Sequence, residues 1–448
     1  MSATSSRAVI ERFQPGPLLK PITGVLAVGL LVQMLTALLP GHGADMLVLS
    51  NWARDLATLG PPDFYDEGYP AEYFPGYLYA LWGIGLANDW LGFSEAEFDY
   101  VLKMSSVIVN LASACLLYVM LEGKREWMRL LAPAIYLLLP TTLFIGPLWG
   151  QVDAIPAFFL LLSVYFMSRD RPLVAAAVFV VAFMVKPQAV GAVLVLAFWG
   201  IRDHPPRVWG QAAAVAGLTG LFLVLPFFPT EPWRIFGHAE HASELYPFNS
   251  SFGFNFWGMW GWFRSDAITH WGIEWRIWGF ALVIIANLAI IWVLRDRQGA
   301  GWLALGVALA MLAFFLFMTR MQERYLFLTF LPLLAAVFLL NSRVLAIAFI
   351  VLSIIHFLGL YFAFYHPNFN PEFEPGWLYT RDIIRMIDYS PSGWTRPGSF
   401  AALLISSSAI ATFVAILCWV GYNNWKWGGL DRPVDKTAEV APSTGTAT

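Results

Sequence analysis

The sequence predicts an all-α polytopic membrane protein with about twelve transmembrane helices and an interfacial helix in its first outer segment. Three observations predict it. Hydrophobic residues make up 58% of the 448 residues and charged residues only 13%, with a mean hydropathy of +0.62, which excludes a soluble domain of this size. Apolar runs close to the ~20 residues a spanning helix needs recur along nearly the whole chain. Lys and Arg collect in short turns on one side, and most Asp and Glu fall on the other.

Spans are expected near 19–40, 99–121, 128–147, 152–168, 172–186, 187–201, 208–228, 273–295, 300–318, 324–341, 343–365 and 398–421. The first run is too long and too poorly cut for a cleaved signal peptide and is expected to stay as an anchor. The stretch 74–92 is hydrophobic enough to be a thirteenth span. Counting it would put Lys124, Arg125 and Arg129 on the outer side and invert the charge pattern. It is therefore read as an interfacial helix, with Tyr77, Trp82 and Trp90 at headgroup level. The interruption Lys186-Pro187-Gln188 divides one long apolar run in two. Proline disfavours a helical residue before it, and two short helices meeting at an outer turn keep Arg169 and Arg171 on the same side as Arg202 and Arg207. Both termini then face the cytoplasm of a plasma-membrane protein.

No soluble domain can be cut out. Residues 1–430 read as one integral membrane domain with outer segments 41–98, 229–272 and 366–398. The last two are rich in Trp, Tyr, Phe, Gly and Pro, a composition of folded loops rather than of disordered linkers. Residues 431–448 read as a disordered cytoplasmic tail. Cys115 and Cys418 lie in apolar spans and imply neither disulfides nor a metal site.

The candidate site comes from polar residues that the membrane should exclude. Asp45 follows the first span, and from there to Glu72 the chain is acidic and aromatic, with Arg54 its only basic residue. Trp149-Gly150-Gln151-Val152-Asp153 opens the fourth span, where an Asp costs roughly 2.5–3.5 kcal/mol at the membrane centre. Asp153 is either a helix-capping carboxylate or a group facing the same cavity as Asp45. Lys186 lacks a neighbour of opposite sign in sequence, and either snorkels to headgroups or meets a phosphate. Arg320, Glu323 and Arg324 crowd the turn before the tenth span. Guanidinium groups suit phosphate oxygens, and Glu323 either orients one of them or closes a structural pair. His238, Glu240, His241 and Glu244 match no strong metal spacing, and Arg381, Asp382, Arg385 and Asp388 have the spacing of surface ion pairs. There is no nucleotide loop, and a net charge of −3 argues against nucleic acid.

In this order the motifs resemble a family. Asp45, the Tyr69-Pro70 to Pro75-Gly76-Tyr77 segment, Trp149-Gly150-Gln151-Val152-Asp153, Lys186-Pro187-Gln188 and Gln322-Glu323-Arg324-Tyr325 are similar to the GT-C superfamily of polytopic glycosyltransferases. The likeness is especially to prokaryotic proteins similar to the GPI-anchor mannosyltransferases of the PIG-V type, over roughly residues 20 to 340. The resemblance implies a GT-C-like fold, a polyprenyl-phosphate sugar as donor, a catalytic carboxylate in the first outer loop and an inverting single displacement. Sugar and acceptor do not carry over from it, and the expected activity is transfer of a hexose (mannose-like) at the outer face.

The residues support that chemistry independently. A sugar on a lipid phosphate needs a base for the acceptor hydroxyl, here Asp45 with Asp153 as a second. It needs cations and polar groups for the departing phosphate, here Lys186, Gln188, Arg320, Arg324 and Tyr325, with Gln151 and Glu323 in support. It needs aromatic surface, for which Trp52, Tyr69, Tyr73, Trp257, Trp260 and Trp262 are available. The residues do not require a cofactor, and a divalent metal used by some relatives has no clear ligand set. Partners are the lipid-linked donor, a lipid or glycan acceptor and the surrounding lipids. A secondary transporter or flippase, and a lipid-linked glycan ligase or polymerase, are the competing readings.

Overall fold

The computed structural model describes residues 21–68, 70–365 and 400–427. Tyr69, the third outer segment with its Arg381 to Asp388 charges, and the tail lie outside them. Of the described residues 78% are helical and 3% are in strands, so helices carry the fold and strands only pin loops. Each expected apolar run contains a helix. The helices are α1 (Thr23–Ala37), α2 (Gly43–Leu59), α3 (Pro61–Glu67), α4 (Pro75–Leu91), α5 (Glu95–Met120), α6 (Glu126–Leu138) and α7 (Pro140–Leu143). They continue as α8 (Ala154–Ser168), α9 (Pro172–Val185), α10 (Val193–Asp203), α11 (Pro206–Val224), α12 (Arg234–Glu244) and α13 (Trp275–Leu294). The last four are α14 (Ala300–Phe317), α15 (Phe330–Leu340), α16 (Arg343–Phe364) and α17 (Phe400–Trp427).

The chain is a multi-pass membrane protein: seven of these helical stretches are long and apolar enough to cross a membrane, eight if a bent pair is one span. That pair is α6 with Pro140–Leu148, bent by 46° where Pro140 cannot continue the helical hydrogen bonding. α1, α8 and α9 are apolar but shorter, at 15, 15 and 14 residues. The expected sixth span departs most from expectation. The chain after Lys186 makes a tight 3₁₀ turn, Pro187–Ala192, and only then an 11-residue helix, α10. α14 is the axis of the bundle, with 78% of its apolar window buried, whereas only 6% of that of α11 is buried.

The first outer segment builds a second apolar core of its own. Leu49, Trp52 and Leu56 of α2 pack with Tyr77, Leu78 and Leu81 of α4, and Val152, Val185 and Phe227 close it from the membrane side. α4 crosses α2 so closely that a Cβ on Gly85 would overlap the Ala53 carbonyl. Trp90, at its far end, is 84% exposed, whereas Tyr77, expected at headgroup level beside it, is buried in this core because α4 turns that face onto α2. The second outer segment is folded too. α12 is clamped by the bidentate pair of Arg234 with Asp66, and β1 (Ser250–Ser251) pairs in parallel with β2 (Met321–Gln322). Buried Asn249 donates to the carbonyls of Trp257 and Gly261. Cys115 and Cys418 are free thiols.

Candidate active site

Four chain breaks meet at one end of the bundle, and each supplies a polar group. The first follows α1. Buried Lys103, on α5, donates to the carbonyls of Ala37 and Leu39 and so closes the C-terminus of α1. The chain then turns at Gly41, where a Cβ would crowd Met46, Lys103 and the Trp149 carbonyl, and enters α2 through His42. Asp45 lies in the first turn of α2, where the helix dipole favours a negative charge.

The second break is the π-helical turn Phe144–Leu148 after the bend. Gly150, at φ +94°, reverses the chain. Trp149 Nε1 and Gln151 Nε2 both donate to Asp45 Oδ2, at 2.6 and 2.8 Å. The third break is Lys186, in extended conformation ahead of Pro187. Its ammonium donates to Gln151 Oε1 (3.1 Å) and to Asp153 Oδ2 (2.8 Å). Both members of that pair are buried, with side chains 3% and 0% exposed. The fourth break is the turn 318–322 after α14, followed by a 3₁₀ stretch, Glu323–Thr329, that carries Arg324 beside Glu323 at 3.3 Å.

One amide joins these groups. Gln151 gives its N–H to Asp45, and its carbonyl oxygen receives Lys186 and the Tyr73 hydroxyl (3.3 Å). Lys186 sits over the rings of Tyr73 and Tyr325, at 5.5 and 5.9 Å from their centres. The adjoining cavity, about 350 Å³, is lined by Glu72, Tyr73, Lys186, Gln188, Arg324 and Tyr325 among others. Gln188 Oε1, Thr319 Oγ1, Gln322 Oε1 and Arg324 Nε belong to lining residues, are buried, and have no hydrogen-bond partner among the described residues. A buried polar atom left unpaired is costly, so a wall carrying four of them is suited to a polar ligand.

Charge on this wall is unevenly held. Burial works to raise the Asp45 carboxyl, but the Arg324 guanidinium, His42 and the two hydrogen bonds outweigh it and keep the group below the usual carboxylate range. Burial pushes the Glu72 carboxyl up. The hydrogen bond from Tyr246 (2.8 Å) and the charges of Arg324 and Lys186 only partly offset that. His42 stacks on Trp149 at 5.0 Å, with Nδ1 3.5 Å from Asp45 Oδ2, and burial lowers its pKa.

No protein-family model and no curated protein matches the chain.

The residues expected from sequence divide into three groups. Asp45, Gln151, Asp153, Lys186, Tyr73, Gln188, Glu323, Arg324 and Tyr325 do converge. Others are used elsewhere. The Arg320 guanidinium, although at the cavity, is committed to Asp266 (2.6 Å) and the Ser243 carbonyl. Trp52 is 2% exposed and donates to the Pro70 carbonyl. Trp257 and Trp262 are buried with indole hydrogen bonds to Phe317 and Gly253, which leaves Trp260, 49% exposed, as the open ring of that trio. Lys186 needs correction, because its partner of opposite sign is Asp153, a neighbour in space that no sequence spacing reveals. Asp153 is accordingly an ion-pair member rather than a free second base. His238 packs on Tyr65 and Phe74, and among the described residues no three His, Cys, Asp or Glu gather to hold a metal.

Three contributors escaped the sequence reading: Glu72, Lys103 and His42. Lys103 carried the clearest signal, a lysine inside an apolar span. Chemically the arrangement offers a carboxylate with one oxygen fixed, two cations beside it, and aromatic faces above them.

Proposed function

We propose that this chain is a membrane glycosyltransferase of the GT-C type, with about twelve spans. It moves a hexose (mannose-like) from a polyprenyl-phosphate sugar to a lipid-linked or surface acceptor at the outer face of the plasma membrane. The observation that carries this reading is the Gln151 amide, which ties the Asp45 carboxylate to the Lys186 ammonium on a wall shared with Arg324. Base and leaving-group cations are thereby held at a fixed separation, as a single displacement needs.

In that displacement the acceptor oxygen bonds to the anomeric carbon while the bond from that carbon to the phosphate oxygen breaks. The electron pair leaves on the phosphate, where Lys186 and Arg324 meet it, with Gln188 and Tyr325 as further hydrogen-bonding groups. The acceptor proton passes to Asp45. Trp149 and Gln151 occupy Oδ2, so Oδ1 is the oxygen that accepts. Glu72, on the cavity wall, hydrogen-bonds sugar hydroxyls.

Purified protein supplied with labelled polyprenyl-phosphate hexoses and extracted lipids is expected to transfer the sugar. Uncleaved lipid-linked sugar crossing a vesicle bilayer instead would make the protein a flippase. Arg324→Met is expected to weaken donor binding by about 10–100-fold, the worth of a hydrogen bond to a charged group. It also changes the pH profile in a definite direction. Arg324 lowers the Asp45 carboxyl, and the base works deprotonated, so activity is lost as pH falls through that pKa. Removing the guanidinium should move the acid limb of kcat/KM to higher pH, and Arg324→Lys should move it less. An unmoved limb would take Asp45 out of the role of base.

The orientation is checked by labelling of single cysteines. Asp66→Cys and Leu245→Cys are expected to react from outside, and Arg125→Cys and Arg297→Cys only after the membrane is opened. Outside labelling at 125 would invert the layout.

A further inference from the structure

The opposite end of the bundle carries a feature that the proposed reaction does not use. A groove of about 700 Å³ runs between α6 and α16, with α15 as its floor. Leu131 and Ile135 form one wall, Phe349 and Phe357 the other, and Phe338 lies beneath them. Ile350 and Ile354, on its lip, are 57% and 56% exposed, so the groove opens toward lipid. From Arg343 to Leu358 it follows α16 for about 22 Å, enough to cover the ~15 Å depth of one leaflet.

Its end differs in chemistry from its length. Arg343 lines it there and has no hydrogen-bond or ion-pair partner among the described residues. Arg343 is also the first residue of α16, a 22-residue helix whose N-terminal dipole favours an anion beside it. Lys124 docks against the same turn, donating to the Leu339 carbonyl at 2.8 Å. The nearby carboxylate, Glu126, is already engaged by Arg129 and Tyr118. Trp127 lines this end and is 56% exposed, the position of a headgroup-level anchor.

We propose that this groove holds one anionic phospholipid of the leaflet at the basic end, with an acyl chain along α16 and the phosphate at Arg343. Basic pockets between spanning helices select anionic headgroups in this way. The polyprenyl donor is the wrong occupant. On the proposed reaction its phosphate belongs at Lys186 and Arg324, whose segment lies beside the last turns of α16, where Glu323 approaches Gly359. A tail running down the groove from there would end against the Arg343 charge. A bound chain would also brace the catalytic wall, since Phe357 packs on Phe144 (5.8 Å), Phe144 on Trp149 (6.2 Å), and Trp149 donates to Asp45.

The test is native mass spectrometry of the full chain in detergent, titrated separately with phosphatidylglycerol, phosphatidylcholine and undecaprenyl phosphate. Phosphatidylglycerol should be retained at least tenfold better than phosphatidylcholine. Arg343→Gln should remove most of that preference without changing the melting temperature of lipid-free protein. Ile350→Trp, which narrows an exposed lip, should weaken both phospholipids. Equal binding of the two phospholipids, or a preference that survives Arg343→Gln, overturns the proposal. So does undecaprenyl phosphate competing phosphatidylglycerol away in Arg324→Met, where its own proposed site is impaired. The two phospholipid arms read binding and stand apart from the glycosyltransferase reading; only the undecaprenyl phosphate arm rests on it.

Discussion

On the proposed reaction, Asp45→Asn is expected to lower turnover by roughly 10²-fold or more, while the protein remains folded and extractable. The substitution keeps the shape of the side chain and removes its basicity. Trp149 and Gln151 can still donate to the amide oxygen, so the wall around position 45 stays in place. Donor binding should change little or improve, because a negative charge beside the phosphate cations is gone. Single-turnover rates with saturating donor separate this from a binding defect. Near-normal turnover in Asp45→Asn with a large loss in Glu72→Gln would transfer the role of base to Glu72, another carboxylate at this end.

The second large effect falls on stability. Lys186 and Asp153 lie 2.8 Å apart with almost no solvent exposure. Removing one member leaves the other as an uncompensated buried charge, at about 3–5 kcal/mol. Lys186→Met and Asp153→Leu should therefore each unfold at much lower temperature in detergent. The double variant should recover most of the loss, because replacing both partners by apolar groups removes the unpaired charge. Transfer activity should stay low in all three, since the ammonium is absent or unsupported. If the single variants melt like the parent protein, the pair does not form.

The sequence revealed the residues of this site far better than their pairing. Asp45, Asp153, Lys186 and Arg324 stood out because a charge inside or beside an apolar run has a known cost and needs a reason. The break at Lys186-Pro187 was visible for the same physical reason that it forms, the clash that proline imposes on the residue before it. Partnership was not visible. Lys186 finds Asp153 through the packing of α8 on α9, which no spacing encodes. Glu72 looked like one more acid in an acidic segment, and only the approach of Tyr246 from the second outer segment marks it. Trp52 and Trp257 were attractive as open rings because aromatic content is legible and burial is not. The fold followed a similar course: the positions of the helices were readable, but the shortness of α10 depended on a 3₁₀ turn stabilised by its surroundings.

The unequal lengths of the helices have a mechanical consequence. α8 and α9 pack against each other, with 15 and 14 residues, or about 21–23 Å, whereas α5 and α16 have 26 and 22. A hydrocarbon layer ~30 Å thick cannot match both. If α8 and α9 each cross it, as the proposed layout has them, the bilayer thins beside their hairpin and relaxes to full depth elsewhere, at fractions of a kcal/mol per ångström of mismatch. On the proposed layout the protein would sit in its membrane as a wedge, with the leaflet dimpled where Lys186 ends α9. Elastic deformation of the lipid would then lower the surface toward the proposed reacting groups, so that a substrate anchored by its tail could reach them without leaving the bilayer.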